Sequence, residues 1–175
     1  MKRIVLVAMC LCALPCLAQT TPPLDIKTLK AKYEQGLAAI QEDTNKALTN
    51  SVQGYADALK ALGQKLQGAG YLDGILAVEK EAERLGNEKA IPEGAVVTDC
   101  GALRELQLKW QKMLDAIDVN KSKKIVTLSR NHIAALEEVK KQLTMQGKVD
   151  EAVEAKNEIE RVRTCLLYTS DAADE

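Results

Sequence analysis

Few residues in this 175-residue chain carry side chains that do chemistry by themselves. His132 is the sole histidine, and an imidazole can act as a general base or a metal ligand. Zinc, however, takes three or four convergent ligands at short spacing, and the sequence around His132 offers no such set. Trp110 could stack on a sugar ring, but like His132 it falls in an apolar rhythm and is expected to be a packing residue. Of the five cysteines, Cys10, Cys12 and Cys16 lie in an N-terminal apolar run, leaving Cys100 and Cys165. Two cysteines in an oxidising compartment would ordinarily bridge. There is no glycine-rich phosphate loop, nucleophile elbow or metalloprotease helix. No catalytic residue, cofactor site or metal site is assigned, no small-molecule substrate is evident, and an enzyme is not expected.

The elements that hold these side chains are written twice. Apolar and aromatic positions step 3, 4 and 4 through Ile26, Leu29, Tyr33, Leu37, Ile40, Thr44, Leu48, Ser51, Tyr55, Leu59, Leu62 and Leu66. Seventy-seven residues later the same lattice runs through Leu103, Leu106, Trp110, Leu114, Ile117, Lys121, Ile125, Leu128, His132, Leu136, Val139 and Leu143. A step of eleven residues in three turns is about 3.67 per turn, which makes each copy a long, nearly straight helix with one apolar stripe. Gly36, Gly54 and Gly63 each cost the first helix about 1 kcal/mol against alanine. A buried Leu or Ile returns ~1.5–3 kcal/mol, so the stripe outweighs the glycines only when it packs on a partner.

Each long helix ends at a glycine turn and is followed by a short one. Gln67-Gly68-Ala69-Gly70 stops the first, with Gly70 suited to a left-handed cap. Asp73 is then expected to cap a helix whose apolar face is Ile75, Val78, Ala82 and Leu85. The second copy has Gly147, Asp150, then Ala152, Ala155, Ile159 and Val162, and the pairs Glu81/Glu158, Glu83/Glu160 and Arg84/Arg161 coincide. The expected fold is all-α: two tandem units of long helix plus short helix, residues 26–85 and 100–164, in coiled-coil or bundle packing. Residues 19–25 form an extended lead-in containing Pro22 and Pro23, with Asp25 as cap. The linker, 86–99, contains Pro92 and Gly94 and ends at Asp99, the expected cap of the next helix. It permits parallel or antiparallel long helices, antiparallel needing less stretch. Thr44 and Lys121 interrupt the stripe at one lattice point in both copies, as polar residues that set register do. Lys121, Lys123, Lys124 and Arg130 form a basic patch expected to be a solvated face. Glu137 and Glu138 precede Lys140 and Lys141 at ion-pair spacing. The sequon Asn120-Lys121-Ser122 falls mid-helix.

The stretch Leu59-Lys60-Ala61-Leu62 and the turn Ala69-Gly70-Tyr71-Leu72-Asp73-Gly74-Ile75-Leu76-Ala77-Val78 resemble a recurrent exported bacterial coiled-coil region built of tandem long-helix, AGDLDGALAV-like-turn, short-helix units. The resemblance covers about Leu29–Leu85 and, more loosely, Leu106–Val162. In the second unit the turn reads Gln146-Gly147-Lys148-Val149-Asp150-Glu151-Ala152-Val153. It implies this architecture, carries no assigned activity, and implies a continuation into a β-rich or ligand-binding domain. Tetratricopeptide turns differ in period, 77 against 34 residues.

The chain ends carry signals of another kind. Lys2 and Arg3, the apolar run Ile4 to Leu14, and small residues before Gln19 have the order of a cleavable signal peptide over residues 1–18. The run is too short for a bilayer of ~30 Å. A retained anchor, or a lipoprotein on Cys16, are the alternatives, the latter disfavoured because Ala13 and Pro15 depart from a lipobox. At the other end Cys165-Leu-Leu-Tyr-Thr-Ser-Asp-Ala-Ala-Asp-Glu175 resembles the translation of a transposase mosaic-end sequencing adapter. On that reading residues 165–175 are not native, a Cys100–Cys165 bridge is not expected, and Cys100 is a candidate for linkage to another subunit or to a continuation. Setting aside Lys2 and Arg3 lowers the basic count from 24 to 22, and setting aside Asp171, Asp174 and Glu175 lowers the acidic count from 25 to 22. A neutral exported chain has no basic excess for nucleic acid. The expected product is periplasmic or extracellular, and touches membrane only through an uncleaved signal. The expected role is a non-catalytic helical spacer or self-association region of a longer, truncated protein, with protein partners. The alternatives are a Skp-like chaperone clamp, and the N-terminal region of an enzyme or ligand-binding protein whose active domain lies beyond Thr164. Skp-like proteins are basic and have a β core, unlike this sequence.

Overall fold

The computed structural model describes residues 25–92 and 99–171, and the side chains of 25–92 and 99–167. The expected signal segment, most of the lead-in, the middle of the linker and the last residues of the adapter-like tail lie outside the described residues. The fold is all-α, with four helices among the described residues: α1 Ile26–Gly68, α2 Leu72–Glu88, α3 Gly101–Met145 and α4 Val149–Asp171. At about 1.5 Å per residue, the 45 residues of α3 extend roughly 68 Å.

α1 and α3 are antiparallel. Their contacts fall along one helix as they rise along the other: Tyr33 with Ser129, Gly36 with Leu128, Asp43 with Lys124, Ser51 with Met113, Gly54 with Trp110. Every position of both apolar lattices is buried or half-buried. The partner that the stripe requires is therefore the other long helix of the same chain, with the short helices completing the cover. Two of the glycines have a packing role besides. A Cβ on Gly36 would stand 2.8 Å from a Leu128 methyl, and one on Gly54 would stand 2.6 Å from the Trp110 ring. Large side chains of α3 thus lie in notches of α1, which offsets the helix propensity lost there.

Each long helix ends in a Schellman turn. Tyr71 N–H donates to Leu66 C=O at 3.0 Å and Gly70 N–H to Gln67 C=O at 3.0 Å. In the second unit Lys148 N–H donates to Leu143 C=O at 3.0 Å and Gly147 N–H to Thr144 C=O at 3.1 Å. Gly70 and Gly147 have φ of 68° and 73°, the left-handed conformation that closes this turn. The short helices then fold back, α2 onto the C-terminal half of α1 and α4 onto the C-terminal half of α3.

Three helix starts differ from expectation. Asp25 occupies the α1 cap, but its side chain makes no capping bond; its carbonyl accepts from Leu29 N–H at 3.0 Å. At α2 the cap is Tyr71 and Asp73 lies in the first turn, because the ring of Tyr71 folds over Gly74, where a Cβ would be 2.4 Å away. At α3 the cap is Cys100, one residue after Asp99, and its carbonyl takes the first helical bonds from Leu103 and Arg104. The acid in the first turn of α2 still favours the helix through its dipole. Helix α2 also runs to Glu88, past the expected end of the unit at Leu85, and stops at Lys89 with φ 52°.

The core divides into two clusters at opposite ends of the long pair. One joins Tyr55, Leu59, Leu66, Val78, Leu85, Ile91, Cys100 and Leu103. The other joins Ile26, Leu29, Leu136, Val139, Ala155 and Ile159. Each end is thus a three-helix bundle. Between them α1 and α3 run alone, and Leu37, Ile40, Leu48, Leu114, Ile117 and Ile125 remain half-buried. Thr44 is buried there, yet its hydroxyl donates to Ile40 C=O of its own helix at 2.8 Å. It makes room in the seam without sending that bond across it. Cys100 is buried at one end and Cys165 exposed on α4 at the other, a separation far beyond the ~7 Å Cα limit for a disulfide.

Candidate functional site

The polar chemistry that the structure assembles lies inside the two bundles. In the first, the side chain of Glu81 on α2 is buried. Tyr55 O–H donates to its Oε1 at 2.8 Å, Arg84 Nη2 to the same oxygen at 2.8 Å, and Arg84 Nε to Oε2 at 2.9 Å. Arg84 also donates to Glu88 and to Ala90 C=O. Burial raises the Glu81 carboxyl, but the bonds from Arg84 and Tyr55 outweigh it and hold the group below the usual carboxylate range. Burial, and then Glu81, push the Tyr55 phenol above its ordinary value. Gln107 of α3 closes the site, fully buried, with neither amide atom in a hydrogen bond. Trp110 is tilted against Tyr55 at 6.0 Å between ring centroids.

The second bundle holds the corresponding acid, Glu158 on α4, also buried. Arg161 Nε donates to its Oε2 at 3.0 Å and Arg161 Nη2 to its Oε1 at 2.6 Å. Lys30 Nζ of α1 lies 3.8 Å from Oε2 and 3.0 Å from Glu154. Arg161 is the main cause holding Glu158 below the usual carboxylate range. His132 takes the place that Tyr55 has in the first bundle. Its ring is stacked on Tyr33 at 4.4 Å and 5°, and its Nε2 lies 3.7 Å from Glu158 without a hydrogen bond. Burial pushes the imidazole below its ordinary value, against the pull of Glu158. Tyr33 and Ser129 share a hydrogen bond of 2.8 Å behind it.

These sites fasten helices. The forked Arg–Glu pairs join residues three apart on one helix; Tyr55 ties the first fork to α1 by a hydrogen bond, and His132 of α3 lies close against the second without one. Both oxygens of each buried acid are engaged. His132 and Trp110 are packing residues in the seam, as their lattice positions predict, and Trp110 lies over Gly54 rather than offering a face to a ligand. Among the described residues no three of His, Cys, Asp and Glu gather as a metal site, and no helix is long and apolar enough to cross a membrane. Of the basic patch, Lys124 reaches Asp43 across the seam at 3.2 Å and Lys121 is half-buried. Glu137 pairs with Lys140 and also reaches Arg163 at 3.1 Å, whereas Glu138 accepts from Gln142.

Sequence reasoning matched Glu81 with Glu158 and Arg84 with Arg161 but assigned them no role. The signal was present: a Glu–Arg pair at i,i+3, displaced by the same interval as Tyr55 and His132. A groove of about 520 Å³ beside the first cluster is lined by Tyr71, Leu76, Lys80, Arg84, Asp99 and Gln107 among others. Compared with protein-family models, curated proteins and solved structures, the chain matches none of them.

Proposed function

We propose that the chain is a non-catalytic helical spacer within an exported protein, a rod that sets a distance. The observation that supports this most is the fate of the apolar stripes: all positions of both lattices are buried or half-buried within the chain, helix on helix, over the length of the pair. A spacer needs a long element that is stiff by itself, and two antiparallel helices clasped at both ends supply one. The buried acids, gripped by their arginines, join helices. A chaperone clamp would keep apolar surface open along its arms. Here six of the ten large exposed apolar side chains among the described residues lie at the turns, Tyr71, Leu72 and Leu76 at one end and Met145, Val149 and Val153 at the other, while Leu108, Met113, Val119 and Leu167 stand singly along α3 and α4. These two tips are the places where self-association would occur.

Sedimentation of the full chain, with an aggregation assay on an unfolding client protein, tests the proposal. An elongated particle that leaves client aggregation unchanged at equimolar amounts is the expected result. Suppression of aggregation near one rod per client would replace the spacer with the clamp.

A further inference from the structure

Of the groups gathered around the two buried acids, His132 of the second bundle is the imidazole, and Tyr55 stands in its place in the first. Between pH 5 and 8 an imidazole changes charge and a phenol does not. We propose that His132 makes the α4 end of the rod an acid-released clasp, which lifts α4 from α1 and α3 when the imidazole takes up a proton, while the α2 end stays shut.

The geometry leaves the proton no good place in the closed form. From α1, Tyr33 covers one face of the ring and Lys30 brings a positive charge to the same carboxylate. From α4 come Glu158 at 3.7 Å and the guanidinium of Arg161. On α3 itself the neighbour one turn away, Ser129, is uncharged and bonded to Tyr33. Glu158 is thus the acid facing the ring, and its two oxygens already accept from Arg161 with Lys30 close by. An imidazolium would be a third cation on one buried carboxylate, and at 6% exposure the ring cannot be solvated in place. Opening relieves both conditions. The element that leaves is α4, since it supplies Glu158 and packs Ala155 and Ile159 on the second cluster. Its departure bares Ile26, Leu29, Leu136 and Val139, while the corresponding cluster at the α2 end stays covered.

The sign is fixed by linkage. The closed form holds His132 neutral below the ordinary value of 6.5, so the open form binds the proton first and closure weakens as pH falls through that value. Both buried acids are held below the ordinary 4.5. They stay ionised through this window and do not distinguish the ends.

Hydrogen exchange on the full chain between pH 7.5 and 5, corrected for intrinsic rates, is the test. Amides of α4 are expected to lose protection, approaching tenfold for each pH unit between the closed and open imidazole, with α2 unchanged. His132→Tyr, which installs the residue standing at position 55, and His132→Gln are both expected to flatten the α4 profile. Equal loss of protection in α2, or a profile that survives both substitutions, would overturn the proposal. So would a ring proton resonance titrating at or above 6.5 in the folded chain. That resonance and the comparison of ends need no variant, and they decide the matter if both variants fail to fold.

Discussion

The first bundle ties its buried acid to a long helix by a hydrogen bond from a phenol, with a neutral amide nearby, and the second places an imidazole and an ammonium group near its acid without one. Tyr55 stands against His132 and Gln107 against Lys30, while Glu81 with Arg84 and Glu158 with Arg161 are the same pair in both. The difference shows that one fork can be tied to a long helix in two ways. A donated hydrogen bond from a group that stays neutral insulates the first end from its surroundings. A near contact at 3.7 Å with a group that can charge leaves the second end responsive. The rest of each bundle is alike enough that the contrast can be tested residue by residue.

The largest asymmetry is expected from truncation. Tyr55→Ala removes a fully buried ring and its bond to Glu81, and should cost about 3–5 kcal/mol in urea unfolding. His132→Ala gives up no hydrogen bond at Nε2 and should cost roughly 1–2 kcal/mol, inside the ordinary range for buried sites. Equal losses would end the distinction. A finer version removes single hydroxyls. Tyr55→Phe takes a donor from a buried carboxylate and should cost about 1.5–3 kcal/mol, against about 1 kcal/mol for Tyr33→Phe, whose partner is the neutral Ser129. Two glycines of α1 sharpen it further. Gly54→Ala must displace the Trp110 ring and is expected to destabilise by about 1–3 kcal/mol. Gly63→Ala meets Val78 at an ordinary 3.6 Å and should stabilise by up to ~1 kcal/mol through helix propensity. Alanine at Gly70 or Gly147 should cost about 1–2 kcal/mol at either turn, since both need the left-handed conformation. No difference between ends is expected from strong acid. Glu81 and Glu158 both sit below 4.5 when folded, so the unfolded chain takes their protons first. Both ends should then lose stability together as pH falls below that value, which acid titration followed by circular dichroism will show.

Much of this architecture was legible before any coordinates. A period of eleven marks which side of each long helix is covered, and Leu59 and Leu136, at matching places in the two lattices, are nearly or fully buried. Gly70 and Gly147 announce the turns because few other residues enter positive φ. What escaped was which residue meets which. Periodicity says that Leu128 faces inward, but not that it meets Gly36, since that pairing depends on register across ninety residues of chain. The caps at Asp73 and Asp99 were misplaced because a large ring folding over Gly74, and a buried cysteine, decide where the turns enter the helices. The polar clusters escaped for a similar reason. Glu81 reads as a surface acid on its own helix, and only Tyr55, brought from a different helix, gives it a reason to be inside.

The uneven thickness of the rod has a mechanical consequence. Three helices are clamped together at either extremity, but around Thr44 and Lys121 the section narrows to two, with side chains of Ile40 and Ile117 only half covered. Resistance to bending rises steeply with cross-section, so thermal flexing concentrates at this waist while the extremities move as rigid blocks. A strut built this way holds its length and yields in angle, much as a jointed beam does.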